Sequence, residues 1–289
     1  MARRRQFAFD RLAPGGLTVE KTTRSAPNRR GDAFLENDAM GRFETTAQSY
    51  AAWREPYPPA FFAAAASALK LAGDEALIDL GAGPGLLALG FEPYVERVVA
   101  VDPEPAMAAE ARRAAAAAGI RLTVVEKRAE DLDAELGRFD VATIGRALHW
   151  MEREPTLAAF ERILAPGARI AVCGSRAADE AENRWRSAYD TVLAEFGESG
   201  AHRGIAARWF DGGRYAKIGE VMVVHRQAVT PAALIERALT RSTTSPAVLG
   251  ARIDAFRAAL GEALAPFFPE ATGVEAVETR ATIYAAAAA

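Results

Sequence analysis

Cysteine and histidine are scarce: Cys173 stands alone and there are three histidines in 289 residues. No internal disulfide can form, and a zinc site built from cysteine and histidine is not expected. Long apolar runs are also missing. The stretches "FFAAAASALKLA" and "ARRAAAAAGI" are short and interrupted by charge or glycine, so no membrane span is expected. The N-terminus has arginines without an apolar segment behind them, so no secretory signal is expected. Nor is there an excess of one charge. The net charge of −3 gives no overall basic field, and nucleic acid is not an expected partner. These absences, with few thiols, fit a cytoplasmic protein. They leave its oligomeric state open.

The composition is otherwise that of an ordinary globular protein, with 50% hydrophobic and 25% charged residues. Residues 1–39 differ from the rest. They are rich in Arg, Gly, Pro and Thr without a sustained period, and read as a flexible basic extension. Residues 40–289 read as one domain. A helix starts near Ala60 and closes at Gly73. Strands and helices then alternate: "ALIDL", "RVVAVD", "IRLTVVE", "FDVATIG" and "ARIAVCG" are strands, with "GLLALGFEP", "EPAMAAEARRAAAAAG" and "EPTLAAFERILAPG" as helices between them. Continuous β-branched runs joined by helices predict an α/β, doubly wound Rossmann-like sheet, mostly parallel. The last third adds the strands "YAKIGEVMVVHRQAV" and "GVEAVETRATIYAAA", expected as antiparallel edge strands. Helices among them are expected to cap the ligand face, with 175–245 partly covering the substrate.

In such sheets ligands sit beyond the carboxyl ends of the strands. The stretch "LIDLGAGPG", Leu77–Gly85, is one such end. Glycines bring backbone N–H groups close to a ligand, and a helix N-terminus behind them favours an anionic group. A pyrophosphate and an amino-acid carboxylate would both fit. The dinucleotide pattern G-x-G-x-x-G fails, because Leu86 stands where its third glycine belongs, and no P-loop Gly-Lys-Ser/Thr follows. Asp102, at the tip of the second strand, can accept from both hydroxyls of a ribose or cap the next helix. Pro103, Pro105 and Met107 offer apolar surface to an adenine face.

"LIDLGAGPG", "VVAVDPEPAM", "RAEDL", "FDVATIGRALHWM" and "LAPGARIAV" occur in this order. Together they resemble class I S-adenosylmethionine-dependent methyltransferases, in the small-molecule branch that includes ubiquinone/menaquinone-type and trans-aconitate-type enzymes. The likeness is close from about Gly41 to Cys173. It implies S-adenosyl-L-methionine as cofactor and S-adenosyl-L-homocysteine as product. By this resemblance Asp79, Gly81, Ala82 and Gly83 hold the methionine part and Asp102 the ribose, while Ala129, Glu130 and Asp131 flank adenine. The backbone near Arg146 takes the cofactor's amino group. Tyr50 and Tyr57 are lid candidates, and Trp150 packs on the cofactor, closes the substrate pocket or belongs to the core. Arg54 would meet the cofactor carboxylate, although Glu55 follows it where relatives carry proline.

Methyl transfer from a sulfonium chiefly needs alignment and dryness. The expected reaction is methylation of a small molecule, with a carboxylate or hydroxyl oxygen favoured. Carbon or nitrogen acceptors, or a nicotinamide-dependent reaction on the same fold, remain as alternatives. A hydroxyl acceptor would need a base, and His149 is the candidate. Arg176, Trp185, Arg186, Tyr189, Trp209, Phe210 and Tyr215 are candidate substrate walls.

Overall fold

The computed structural model describes residues 53–55, 57–198, 205–210 and 213–286, without the side chains of 205–207. The basic extension and Tyr50 lie outside the described residues. Seven strands form one sheet: β1 (Ala76–Leu80), β2 (Arg97–Val101), β3 (Thr123–Val125), β4 (Phe139–Gly145), β5 (Leu164–Ala177), β6 (Tyr215–Val229) and β7 (Gly273–Ala286). Their spatial order is β3-β2-β1-β4-β5-β7-β6. β1 to β5 run parallel, and β7 is antiparallel to both of its neighbours, β5 and β6.

Strand alternation sorts the core into two faces. Leu77, Val98, Ala100 and Val141 pack on one side against Phe61 and Phe62 of α1 (Pro59–Ala68) and Phe91 of α2 (Leu86–Phe91). Ile78, Leu80, Val99 and Ile144 pack on the other against Phe160 and Ile163 of α4 (Arg153–Ile163). Helix α3 (Pro105–Ala118) links β2 to β3 and ends at Gly119, with φ 67°. A third apolar cluster forms the cap. It joins Trp185 and Tyr189 at α5 (Arg186–Phe196), Leu234 and Ala238 of α7 (Pro231–Leu239), Leu249 of α8 (Pro246–Leu249) and Phe256 and Leu260 of α9 (Ile253–Leu264). The short α6 (Ile205–Phe210) precedes β6.

Three boundaries differ from the sequence reading. Helix α1 ends at Ala68 and not at Gly73. Leu69 is fully buried, and the chain turns at Lys70 (φ 53°) with Leu71 N–H donating to the Ala66 carbonyl at 3.0 Å. Gly73 instead donates to the Glu75 carboxylate just before β1. The third strand keeps only Thr123–Val125 of "IRLTVVE". Strand β5 starts at Leu164, because the "LAPG" turn pairs with β4 where the helix was expected to continue.

Candidate functional site

The carboxyl ends of β1, β2 and β4 converge on the glycine turn. Gly81, Gly83 and Gly85 all have positive φ (63°, 55° and 83°), a region that side-chain-bearing residues enter at a cost. A Cβ on Gly81 would lie 2.4 Å from the Ala147 Cβ, so the β1 and β4 loops can close together only at a glycine. The turn is tied to β2 through Ala82 N–H, which donates to the Val101 carbonyl at 3.0 Å. Gly83 N–H donates to Asp102 Oδ2 at 2.7 Å. Asp102 Oδ1 accepts from Glu104 N–H at 2.9 Å, which closes a turn before the next helix. The expected helix cap is not formed, because Glu104 holds the cap position and no side chain bonds the first-turn N–H groups. Met107 is buried with its sulfur toward Gly83, and Pro103 is half-buried beside it.

Asp79 lies at the floor. Its Oδ1 accepts from the Thr143 hydroxyl at 2.8 Å and its Oδ2 from Ala88 N–H at 3.2 Å. Thr143 is its register partner on β4. Burial pushes the Asp79 carboxyl up to about 7, against the pull of these two hydrogen bonds. Burial also raises Asp102, against the Glu104 and Gly83 N–H groups. Among the described residues no arginine or lysine pairs with either acid; their partners are hydroxyl and backbone N–H groups. A small pocket opens here, lined by Asp79, Gly81, Ala82, Gly83, Arg146, Tyr57 and neighbouring apolar residues.

Arg146 follows β4 with φ 59°, a conformation that typically costs on the order of 1–3 kcal/mol for a non-glycine residue. Its N–H donates to the Cys173 carbonyl at 3.1 Å. Its guanidinium lies 4.9 Å from the Tyr57 ring centroid and donates to Ser175 Oγ at 3.0 Å. It also approaches Glu55 Oε2 at 3.7 Å. Glu55 in turn meets Arg237 of α7 at 3.2 Å, and Arg237 is bidentate to Glu275 of β7 at 2.8 and 2.7 Å. Burial pushes Glu55 up, but Arg237, Arg146 and Arg54 outweigh it and hold the carboxyl below its ordinary value. Arg54 donates to the Thr240 carbonyl at 3.1 Å, on the cap side.

The other expected site residues form the rim. His149 and Trp150 share a 3-10 turn with ring centroids 5.0 Å apart. Trp150 is 39% exposed, which excludes a core role. Ala129, Glu130 and Asp131 form another such turn beyond β3, with Ala129 buried and Asp131 exposed. The Glu130 side chain turns to Glu152, accepting from its N–H at 2.8 Å. Of the substrate-wall candidates, Trp185, Tyr189, Trp209, Phe210 and Tyr215 are buried core residues. Arg176 is bidentate to Glu278 on the sheet, both bonds 3.0 Å.

Thr143, Ser175, Arg237 and Glu275 were not singled out from the sequence. A threonine inside the apolar run "VATIG" is the signal that could have drawn attention to Thr143. Among the described residues no cluster of three metal-ligating side chains occurs, and no helix is long and apolar enough to cross a membrane.

The chain resembles known proteins in sequence and in fold. The profile of a family described as "Methyltransferase domain" matches residues 77–167, from β1 into β5. Over these residues the chain is similar to methyltransferases. It is 38% identical over 100 residues to a demethylmenaquinone methyltransferase of Thermus thermophilus, covering 33% of this chain and 45% of that protein. It is 30% identical over 115 residues to an uncharacterized methyltransferase of Schizosaccharomyces pombe, covering 37% and 43%. The chain thus spans less than half the length of the curated relatives it matches. Among solved structures, a protein classed as a type II methyltransferase from Anaeromyxobacter dehalogenans shares the fold, with a TM-score of 0.60 and 22% identity over 81% of this chain and 97% of that one. The matched segment contains His149 and every expected cofactor-site residue except Tyr50, Arg54 and Tyr57, and none of the substrate-wall candidates.

Proposed function

We propose that the protein transfers a methyl group from S-adenosyl-L-methionine to a small-molecule acceptor, with a carboxylate or hydroxyl oxygen favoured. One observation carries the cofactor assignment: two buried carboxylates, Asp79 and Asp102, face a glycine turn, and among the described residues no cation pairs with either. Burying a charge without a partner is expensive, so such a site favours a ligand that brings positive charge. When bound, the cofactor supplies an electrophilic methyl on a sulfonium and a primary ammonium.

Asp79 with Gly81, Ala82 and Gly83 would hold the methionine part. Asp102 would accept from the ribose hydroxyls while keeping Gly83 N–H as a donor. Pro103, Met107 and the Ala129–Asp131 turn would enclose adenine, and the Arg146 backbone would accept from the ammonium. Trp150, with Tyr50 and Arg54, would cover the cofactor and exclude water. The in-line displacement leaves a neutral thioether, so alignment is the protein's main contribution. His149 would take the proton of a hydroxyl acceptor, and a carboxylate acceptor would leave it without that task.

Calorimetry with S-adenosyl-L-homocysteine tests the reading. Binding at micromolar affinity is expected for the wild type, with a marked loss in Asp102→Ala. Absence of heat with the wild type, or unchanged affinity in the variant, would sink it. His149→Ala should cost on the order of 10²-fold in turnover with a hydroxyl acceptor and little with a carboxylate.

A further inference from the structure

β6 is the last strand of the sheet, and among the described residues nothing pairs with its outer edge. It runs for 15 residues, against about 5–6 for a typical strand. A free edge of this length is a template for another strand. Proteins usually blunt such edges with proline or with charge of one sign, which repels a second copy. β6 contains no proline. Its exposed residues in the regular stretch after the Lys217/Gly219 bulge are Glu220, Met222, Val224, Arg226 and Ala228. The two charged ones have opposite signs, and they lie at equal distances from Val223.

That symmetry has a consequence for self-pairing. In an antiparallel pair related by a two-fold axis at Val223, Glu220 of each copy stands opposite Arg226 of the other. Met222 stands opposite Val224, and both are exposed, at 54% and 38%. Moving the axis to Met222 or Val224 slips the register by two residues. Glu220 then faces Val224 or Ala228, and Arg226 faces Ile218 or Met222. Only the Val223 axis matches charge with charge and apolar with apolar. Cross-strand pairs of this kind contribute about 0.2–1 kcal/mol each, and like charges placed opposite one another oppose pairing.

We propose that the free edge of β6 pairs antiparallel with the same strand of a second copy, about a two-fold axis at Val223, joining two sheets into a homodimer. The paired segment is Gly219–Gln227. It is bounded at one end by the bulge and at the other by the turn into α7. Glu220 already contacts Arg280 and Lys217, and Arg226 contacts Glu182 at 2.6 Å. These pairs lie at the surface, where each is worth little, so both side chains remain available to a partner. β4, β5 and β7 separate β6 from β1, so the glycine turn stays open in each copy. One edge-to-edge strand pair is small for an interface, so the dimer is weak and concentration-dependent.

Sedimentation velocity on the full chain, from low micromolar to sub-millimolar concentration, is the test. The wild type is expected to shift from monomer to dimer. Glu220→Arg and Arg226→Glu should each remain monomeric over that range, because each places like charges opposite one another twice. Mixed in equal amounts, the two variants should form a heterodimer, since every pair is then complementary. Met222→Glu, at an exposed position beside Arg280, should weaken the wild-type association at least tenfold while leaving the fold intact. A wild type that stays monomeric overturns the proposal. So does an association that survives both charge reversals, or a mixture that fails to associate.

Discussion

The glycine-turn side of the sheet and the cap side bury the same kind of group and treat it in opposite ways. At the turn, Asp79 and Asp102 are buried beside hydroxyl and N–H donors alone, and burial raises both. At the cap, Glu55 and Glu275 are equally hidden but meet Arg237 and Arg146, and Glu55 is held low. The cap is electrostatically complete as it stands. At the turn no arginine or lysine among the described residues pairs with Asp79 or Asp102, although Arg146 lines the same pocket. Similar burial is thus met by cations in one region and by neutral hydrogen-bond donors in the other.

The sharpest way to break this contrast is to make the cap resemble the turn. Arg237→Ala leaves Glu275, with 0% exposure, and Glu55 without their main cation. Breaking a buried ion pair on one side costs about 3–5 kcal/mol. Urea denaturation should show a loss of that size, with Arg237→Lys losing less because one charge remains.

A change of pH should separate the two regions next. The Asp79 carboxyl lies at about 7 in the folded chain against 3.8 for the ordinary group, so the folded state holds more protons between these values. Its contribution to stability is therefore greatest below the ordinary value and falls as pH rises to about 7, by up to about 4 kcal/mol. Glu55 has the opposite sign: its stabilisation is present above the ordinary value and fades as pH falls through the lowered one. Asp79→Asn should accordingly stabilise the ligand-free protein at pH 8 relative to pH 4, as thermal melts at the two pH values would show. A variant that tracks the wild type at both would remove Asp79 from this account.

Much of the turn was legible in the sequence and little of the cap was, for a physical reason. "LIDLGAGPG" and Asp102 act through local backbone, where glycine spacing and strand ends are written in consecutive residues. β4, β6 and β7 were equally readable, because β-branched runs bounded by Gly, Pro or Thr have few other uses. The Asp79–Thr143 bond joins residues 64 positions apart, and pairing across a sheet leaves no mark in either segment. Glu55, Arg237 and Glu275 come from three distant segments, and each alone reads as a solvated charge. The end of α1 was misread because burial of Leu69 and the turn at Lys70, and not the visible Gly73, stop the helix.

Gly81→Ala tests whether the turn's shape is independent of its charge. The added methyl forces a side-chain-bearing residue to φ 63° and meets the Ala147 Cβ at 2.4 Å. The unfavourable conformation costs about 1–2 kcal/mol, and the contact adds to it. Neither methyl carbon can rotate away, so the Ala147 turn carrying His149 and Trp150 must move. Stability should fall by about 2 kcal/mol, and Trp150 fluorescence should shift with it.

The smallest effect on the fold should come from Asp102→Asn. One amide oxygen can still accept from Gly83 N–H, but the amide NH2 then faces the Glu104 N–H, donor against donor. Burial already opposes the charge at this position, so losing it offsets part of that lost hydrogen bond. Stability should change by less than about 1 kcal/mol. The ligand side should respond more, because an amide cannot accept from two hydroxyls as a carboxylate can. Affinity for S-adenosyl-L-homocysteine should fall about tenfold, equivalent to about 1.4 kcal/mol. A large stability loss with unchanged affinity would mean that Asp102 serves the turn before α3, and would place it with Glu55 and Glu275 as a residue of cohesion.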